Sequence, residues 1–395
     1  MYKITTRIIL SSIFLLSSFN SFAVFPDYNG SPVIVQHLGQ LDWPQDVEPT
    51  DPATFPSLTQ LVSNDVNDLH GDLSCELIIS TPGNYHMALK DAIYGAPDLN
   101  HTGLIEQTGT PDQFKVSICW STSPPISIDQ IMAEKLQFKN ISMIGRPSLV
   151  MAPGGVMNTL VANGQADGAT RQPIFSNRGN VIIVRRDKFI SGPDQITGLC
   201  DLANPNIRVV TPNPELEPGS FGNFSGTIHN VAANNTLGCN AQALYDSIFQ
   251  WTPAALDLTK YDNPFNIDDV KSVFGRGPTP QGSGAKWVAS SRIMHRDIPY
   301  ALCHDEADAG VIFYHQALYM KQTMAELGCE LDIIPLGGTV ENPQPLPGNR
   351  VGTIHVAKVS GSYAKKINDA RDDIYDFLTT SPVWEQILIK HGMVR

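Results

Sequence analysis

Between Ile207 and Asn230 the chain reads IRVVTPNPELEPGSFGNFSGTIHN: a β-branched strand (Ile207, Val209, Val210), a Pro/Asn/Gly turn and the start of a helix. Backbone amides at such a strand-to-helix turn, aided by the helix dipole, favour a bound anion. No nucleophile or base is assigned to this turn, so its chemistry is holding a ligand rather than breaking one. Two earlier turns carry hydroxyls in a similar setting, Ser80-Thr81 after ELII and Ser121-Thr122-Ser123 after KVSICW. The same residue types also serve as plain helix caps and turn formers. Gly219 can equally be read as a turn residue with freedom at positive φ.

Enzyme signatures fail on inspection. Gly277 to Gly282 spells G-x-x-x-x-G, but Ser283 stands where a phosphate-binding loop needs lysine. Ser283-x-x-Lys286 and Ser362-x-x-Lys365 match a serine–lysine pattern; the first falls in a Gly-rich loop and the second at a helix start, so both read as coincidence. His304-Asp305-Glu306 reads as a solvated loop, and the ten histidines are scattered without a metal-binding pair. No cofactor and no metal are implied.

The elements that must position these turns alternate between strand and helix. CELIIS (75–80), KVSICWS (115–121) and SLVMA (148–152) read as strands, followed by helices over Pro82–Tyr94, Ser127–Lys139 and Val156–Asn163. NVIIVRR (180–186), IRVV (207–210), AGVIFY (309–314), LDIIPL (331–336) and TIHVAKV (353–359) are further strands. Helices are expected before Ala301, over Ala364–Thr379 and over Ser381–His391. This repeat implies a parallel sheet flanked by helices. Residues 24–70, rich in Pro, Asp and Asn, read as an irregular arm, and 262–286 as loop. The chain is expected to cross between two α/β lobes near 171–180 and again near 337–352. Such sheets bind ligands beyond the C-terminal ends of their strands, so two facing lobes would share a cleft.

Residues 1–23 read as an export signal: Lys3 and Arg7, an apolar run from Ile8 to Leu16, and Ser21-Phe22-Ala23 as the cleavage site. The run is shorter than the ~20 residues that span a bilayer. The expected location is the periplasm. Removing the signal leaves 25 basic against 39 acidic residues, a charge of −14. That balance argues against nucleic acid or an anionic membrane as partner, but not against a small anion held by clustered N–H groups. Six well-separated cysteines in an oxidising compartment suggest disulfides, with 15 connectivities open. Sequential pairing (75–119, 200–239, 303–329) keeps each pair inside one expected lobe.

The order of several segments resembles one known family. ELIISTPGNYHMALKDA, SLVMAPGGVMNTLVANG, QPIFSNRGNVIIVRRD, TPNPELEPGSFG, EADAGVIFYHQAL and DFLTTSPVWEQILIKHGMV follow, in order, motifs of type II periplasmic solute-binding proteins, nearest to the molybdate-binding component of ABC transporters. The likeness runs from about Cys75 to Arg395. It implies an α/β, two-lobed, Venus-flytrap fold with two mixed or parallel sheets flanked by helices: lobe 1 from 71–178 with 345–395, lobe 2 from 179–344. It implies a small ligand, an oxyanion such as molybdate, tungstate or sulfate, held between the lobes without covalent chemistry. A membrane permease and its ATPase would be the partners. By position the ligand contacts would be Ser80, Thr81, Ser121, Thr122, Ser123, Pro218, Gly219 and Ser220, with Arg296 near a helix start. The family's tyrosine falls on Phe313, with Tyr314 next to it. Alternatives are a small organic solute, a secreted hydrolase or transferase using the same cleft, and a protein-binding role for the arm 24–70 and the 240–295 insertion.

Overall fold

The structure is a computed structural model and describes residues 33–37, 69–71, 76–82, 85–104, 116–121, 126, 128–137, 141–213, 217–249, 286–290, 294–326, 328–361 and 363–395. In chain order the first elements are β1 (Val33–His37), β2 (Leu69–Gly71), β3 (Leu77–Ser80), α1 (His86–Tyr94), β4 (Ile118–Ser121), α2 (Ile128–Ala133), β5 (Lys135–Gln137), β6 (Ile141–Ile144), β7 (Leu149–Pro153), α3 (Gly154–Ala162) and β8 (Gln172–Ser176). Then come β9 (Asn180–Arg185), α4 (Arg186–Ile190), β10 (Val209–Thr211), α5 (Pro218–Asn234), α6 (Ala241–Phe249), β11 (Trp287–Ala289), α7 (Met294–Cys303), β12 (Ala309–Phe313), α8 (Tyr314–Glu326) and β13 (Leu331–Pro335). The chain closes with β14 (Thr353–Lys358), α9 (Lys365–Thr380) and α10 (Pro382–Lys390).

Two large sheets organise these elements, ordered β2-β4-β3-β7-β14-β8 and β11-β10-β12-β9-β13. Each has its own buried core: Leu77, Ile78, Trp120, Phe175 and Trp384 belong to the first, Ile182, Val210, Phe221, Phe224 and Ile312 to the second. The central strands are buried and mostly apolar, with polar residues at their ends (Ser80, Ser121, Asn180, Thr211). Local signals set the helix ends where they are clear. In α10, Ser381 caps with its Oγ accepting from the Val383 amide at 3.1 Å, and Pro382 opens the helix, where its missing N–H costs nothing.

Three expectations need correction. The sheets are mixed, as the family likeness implies, where the strand–helix repeat alone implies a parallel one: β3 runs parallel to β4 and β7, and β10 to β11 and β12, but β14 is antiparallel to β7 and β8, and β9 to β12 and β13. These antiparallel strands are the ones that enter or return from the other sheet. The helix expected over Ser127–Lys139 stops at Ala133, where Glu134 turns the chain with φ 53° and β5 pairs with β6. Helix-favouring side chains there lose to burial of Leu136 in the core and to strand pairing. The arm read as irregular supplies two strands, β1 antiparallel to β6 and β2 antiparallel to β4. Each is a short edge strand, which Pro- and Asn-rich surroundings conceal. β8, β11 and α6 also went unread as elements.

The chain leaves the first sheet after Ser176 and returns to it at Thr353, and asparagines clamp the two passages together. Asn349 Oδ1 accepts from the Asn180 amide and its Nδ2 donates to the Asn180 carbonyl, both at 2.8 Å. Asn177 Oδ1 accepts from the amides of Gly179 and Gly352 at 3.0 and 3.2 Å. Gly179 holds φ +75°, and a Cβ there would lie 2.9 Å from Asn349 Oδ1, so only glycine fits.

Disulfides join Cys200 to Cys239 and Cys303 to Cys329. Cys119 is disulfide-bonded as well; Cys75, the partner the sequential scheme assigns to it, lies outside the described residues, as does the signal segment 1–23. Among the described residues no helix is long and apolar enough to cross a membrane.

Candidate functional site

The strand-end turns of the two sheets are built alike. In the first, β3 runs into Thr81-Pro82 beside the end of the parallel strand β4. Ser121 Oγ accepts from the Thr81 amide at 3.0 Å and donates to the Thr81 carbonyl at 3.2 Å. Thr81 Oγ1 donates to the Pro82 carbonyl, and Ser80 Oγ accepts from the Ile126 amide at 2.8 Å. In the second, β10 runs into Thr211-Pro212 beside parallel β11. Ser290 Oγ accepts from the Asn213 amide at 2.9 Å, and Thr211 Oγ1 donates to the Pro212 carbonyl at 3.1 Å. Ser80, Thr81, Ser121, Thr211 and Ser290 are each 0% exposed. In both turns a serine at the end of the neighbouring strand accepts from a turn amide, that of Thr81 before the proline in the first and that of Asn213 after it in the second.

The structure therefore brings Ser80, Thr81 and Ser121 together, and each hydroxyl already has a backbone partner. Thr122 and Ser123 lie outside the described residues, and so do the side chains of Pro218 and Arg296. Gly219 sits in the first turn of α5, exposed, with open space where a Cβ would be, so neither positive φ nor crowding demands glycine. Ser220 Oγ donates to Glu217 Oε1 at 3.5 Å. Phe313 ends β12 with its ring against Phe224 at 5.0 Å. Tyr314 begins α8, where its hydroxyl donates to the Val340 carbonyl at 2.6 Å and its amide to the Gly179 carbonyl at 3.0 Å. Burial, opposed by Arg178 and reinforced by Glu341, pushes that phenol above its ordinary range. Tyr314 thus serves the crossover rather than the turns. Trp120 is a core residue, donating to His86 Nδ1 at 3.0 Å.

Several residues escaped the sequence reading. Tyr85, just after the first turn, stacks on His315 of α8 at 5.1 Å, and His315 stacks on Phe313 at 5.4 Å. Tyr85 also meets Phe175 edge-on at 4.7 Å. This aromatic column joins the two cores at the strand-end side of both sheets. Ser290 had a legible signal, since WVAS repeats the pattern of ICWS, and Thr211-Pro212 repeats Thr81-Pro82. The second turn does hold a base, Glu217, to which the sequence pattern gives no role. It is 7% exposed, and its Oε2 accepts from the Met294 amide at 2.5 Å, linking the starts of α5 and α7. Burial, opposed by the Met294 and Ser220 hydrogen bonds and reinforced by Asp297, pushes its carboxyl up to about 8.

Formal positive charge gathers elsewhere in the second lobe. Asp308, 1% exposed, accepts from the Arg208 amide, Nε and Nη2 at 2.8, 3.0 and 3.0 Å, and Arg208 Nη2 also reaches Asp305 at 2.7 Å. These acids hold Arg208 above its ordinary pKa, against the pull of burial. Arg208 precedes β10 and Asp308 precedes β12, so the cluster lies at the strand ends opposite the turns. It also occupies Asp305, the centre of the His304-Asp305-Glu306 run. Lys286 Nζ donates to the Leu202 carbonyl at 2.6 Å and to that of Asn204; Ser283 and Ser362 lie outside the described residues. The return crossover lays Arg350 near Gly226 of α5, and burial lowers it to about 10. Among the described residues no three His, Cys, Asp or Glu side chains converge on a metal site.

Residues 145–394, more than half of the chain, match the family described as bacterial extracellular solute-binding protein. No curated protein matches the sequence. Among solved structures, the substrate-binding domain of a molybdenum ABC transporter from Clostridium difficile is 13% identical, with 81% of this chain and 98% of that one covered at a TM-score of 0.42. The sulfate-binding protein SubI from Mycobacterium tuberculosis is 16% identical, with 80% and 85% covered and a TM-score of 0.44. Iron-bound HitA from Pseudomonas aeruginosa is 13% identical, with 79% and 83% covered and a TM-score of 0.41. All three TM-scores lie below 0.5. With its two helix-flanked mixed sheets and a match to that family over residues 145–394, this protein is a member of the bacterial extracellular solute-binding protein family.

Proposed function

We propose that the protein is the periplasmic capture component of an ABC transporter. It would take a small oxyanion of the molybdate, tungstate or sulfate type between lobe 1 (71–178 and 345–395) and lobe 2 (179–344) and deliver it to a permease with its ATPase. Export with cleavage after Ala23 belongs to the same reading. The observation that carries it is the repeated Thr-Pro turn with its orienting serine, in a fold where the same side of both sheets meets through Tyr85 and His315. Turn amides and hydroxyls would be the ligand groups, drawn from Ser80, Thr81, Ser121, Thr122, Ser123 and the 218–220 turn. Such neutral donors favour an acceptor-rich guest and disfavour one whose protons they cannot accept. The crossovers at 171–180 and 337–352 would absorb closure.

A small organic solute is the second reading, favoured by the aromatic column Tyr85–His315–Phe313 on the wall between the lobes. Thermal-shift titration with molybdate, tungstate, sulfate, phosphate and small carboxylic acids separates the two. A ligand at 100 times its Kd stabilises the native state by about 2.7 kcal/mol. A concentration-dependent rise with an inorganic oxyanion, weakened in Ser121→Ala, is expected. A rise with carboxylic acids alone would favour the organic solute, and no rise with any of these anions would end the oxyanion reading.

A further inference from the structure

Most buried serines and threonines among the described residues spend the hydroxyl proton on the main chain. Thr81, Ser121, Ser148, Thr211, Ser225 and Thr227 donate to the carbonyls of Pro82, Thr81, Ile78, Pro212, Phe221 and Asn223 respectively. Two do not. Ser80 Oγ accepts from the Ile126 amide at 2.8 Å and Ser290 Oγ from the Asn213 amide at 2.9 Å, and neither hydroxyl donates to any group among the described residues. Both serines are 0% exposed, and a buried donor without an acceptor is costly enough to call for a partner.

The two serines occupy matching places. Ser80 ends β3, which runs parallel to β4, and Ser290 directly follows β11, which runs parallel to β10. They belong to different sheets, on the side where Tyr85 stacks on His315. The amide of Ser290 donates to the Thr211 carbonyl at 2.9 Å and its Oγ is held by the Asn213 amide, so only the proton is left to turn. Ser121, the corresponding serine beside the first turn, has already given its proton to the Thr81 carbonyl.

We propose that Ser290 is the hydroxyl donor of the second lobe, giving its proton to the captured oxyanion opposite Ser80 of the first. This rests on the oxyanion reading above and narrows its hydroxyls to one in each lobe. Two opposed donors require acceptor oxygens on opposite sides of the guest. A fully ionised tetrahedral oxyanion has them, and a monocarboxylate, with both oxygens at one end, has not.

The test is isothermal titration of the mature chain with sodium sulfate, molybdate and tungstate at pH 8, for wild type, Ser290→Ala, Thr211→Val and Ser148→Ala. A hydrogen bond to a charged guest is worth roughly tenfold in affinity or more, and Ser290→Ala should lose at least that for whichever anion the wild type binds best. Thr211→Val loosens the same turn but keeps the proton of Ser290, and its loss should be at least threefold smaller. Ser148→Ala removes a buried hydroxyl just before β7, at the strand starts, and should stay within twofold of wild type. If Ser290→Ala does not unfold cooperatively, Ser290→Cys, a weak donor of similar size, takes its place with a loss of at least threefold as the criterion. A loss below threefold in Ser290→Ala, or an equal loss in Thr211→Val, overturns the proposal and leaves oxyanion capture standing. No binding of any of the three anions by the wild type overturns both.

Discussion

Replacing Glu217 by glutamine should change how the stability of this protein depends on pH. The carboxyl is buried, and its pKa rises from the ordinary 4.5 of glutamate to about 8, chiefly through burial. An acid raised in this way favours the folded state while protonated. Its contribution is fully present below pH 4.5 and is lost as pH climbs through 8, because over that window the native state binds more protons than the unfolded chain. At about 1.4 kcal/mol per pH unit the rise sets a ceiling of roughly 5 kcal/mol, and local relaxation and water entry leave about 2 to 4 kcal/mol as the expected loss. Glutamine keeps an oxygen for the Met294 amide and cannot ionise. Lys286 complicates the upper part of the range, because burial lowers it to about 8 and its own titration makes stability rise with pH above that point. That effect is common to both proteins and cancels in their difference. Urea unfolding of wild type and Glu217→Gln at pH 5 and pH 9 is the assay. The variant should gain at least about 2 kcal/mol on wild type between the two conditions. Parallel pH dependence, within about 0.5 kcal/mol, would refute the placing of an uncompensated acid at the junction of α5 and α7.

Ser121→Ala and Ser290→Ala should each cost about 1 to 3 kcal/mol, since each leaves a buried turn amide without its acceptor. The two losses should add in the double variant, because the serines sit in separate lobes; denaturant unfolding with losses below about 0.5 kcal/mol would show that the amides find other partners. Asn349→Ala removes both hydrogen bonds that tie the return crossover to Asn180. Small-angle scattering of the ligand-free protein should show a wider distribution of lobe separations, and an unchanged profile would deny Asn349 a part in the hinge.

Much of the fold was open to reading along the chain. The central strands are continuous runs of Val, Ile and Leu, and burial on both faces requires that composition. Helices α9 and α10 carry their own periodicity, and α10 its Ser381 cap, so their expected and observed limits differ by a residue or so. The hydroxyls of Ser80, Thr81 and Ser121 stood out because serine and threonine after a buried strand have few roles. What a sequence hides is partnership across long separations. β1 reaches β6 over more than a hundred residues, and a short edge strand has no periodicity of its own to announce it. Local propensity continued α2 through Lys139, whereas pairing of β5 with β6 turned that stretch into a hairpin.

At the site the same division holds. The residues alone marked three strand-end turns as candidates, Ser80-Thr81, Ser121 to Ser123 and the turn after Val210, because hydroxyls, prolines and glycines gather where β-branched runs end. Only the tertiary structure decided which groups would be left to meet a solute. Met294 lies 77 residues beyond Glu217, and Ser290 lies 77 beyond Asn213. Tyr85 and His315 are brought together from separate sheets. Glu217, given no role in the sequence reading, becomes a buried acid once two helix starts close around it, since burial and hydrogen bonding depend on neighbours that only folding supplies.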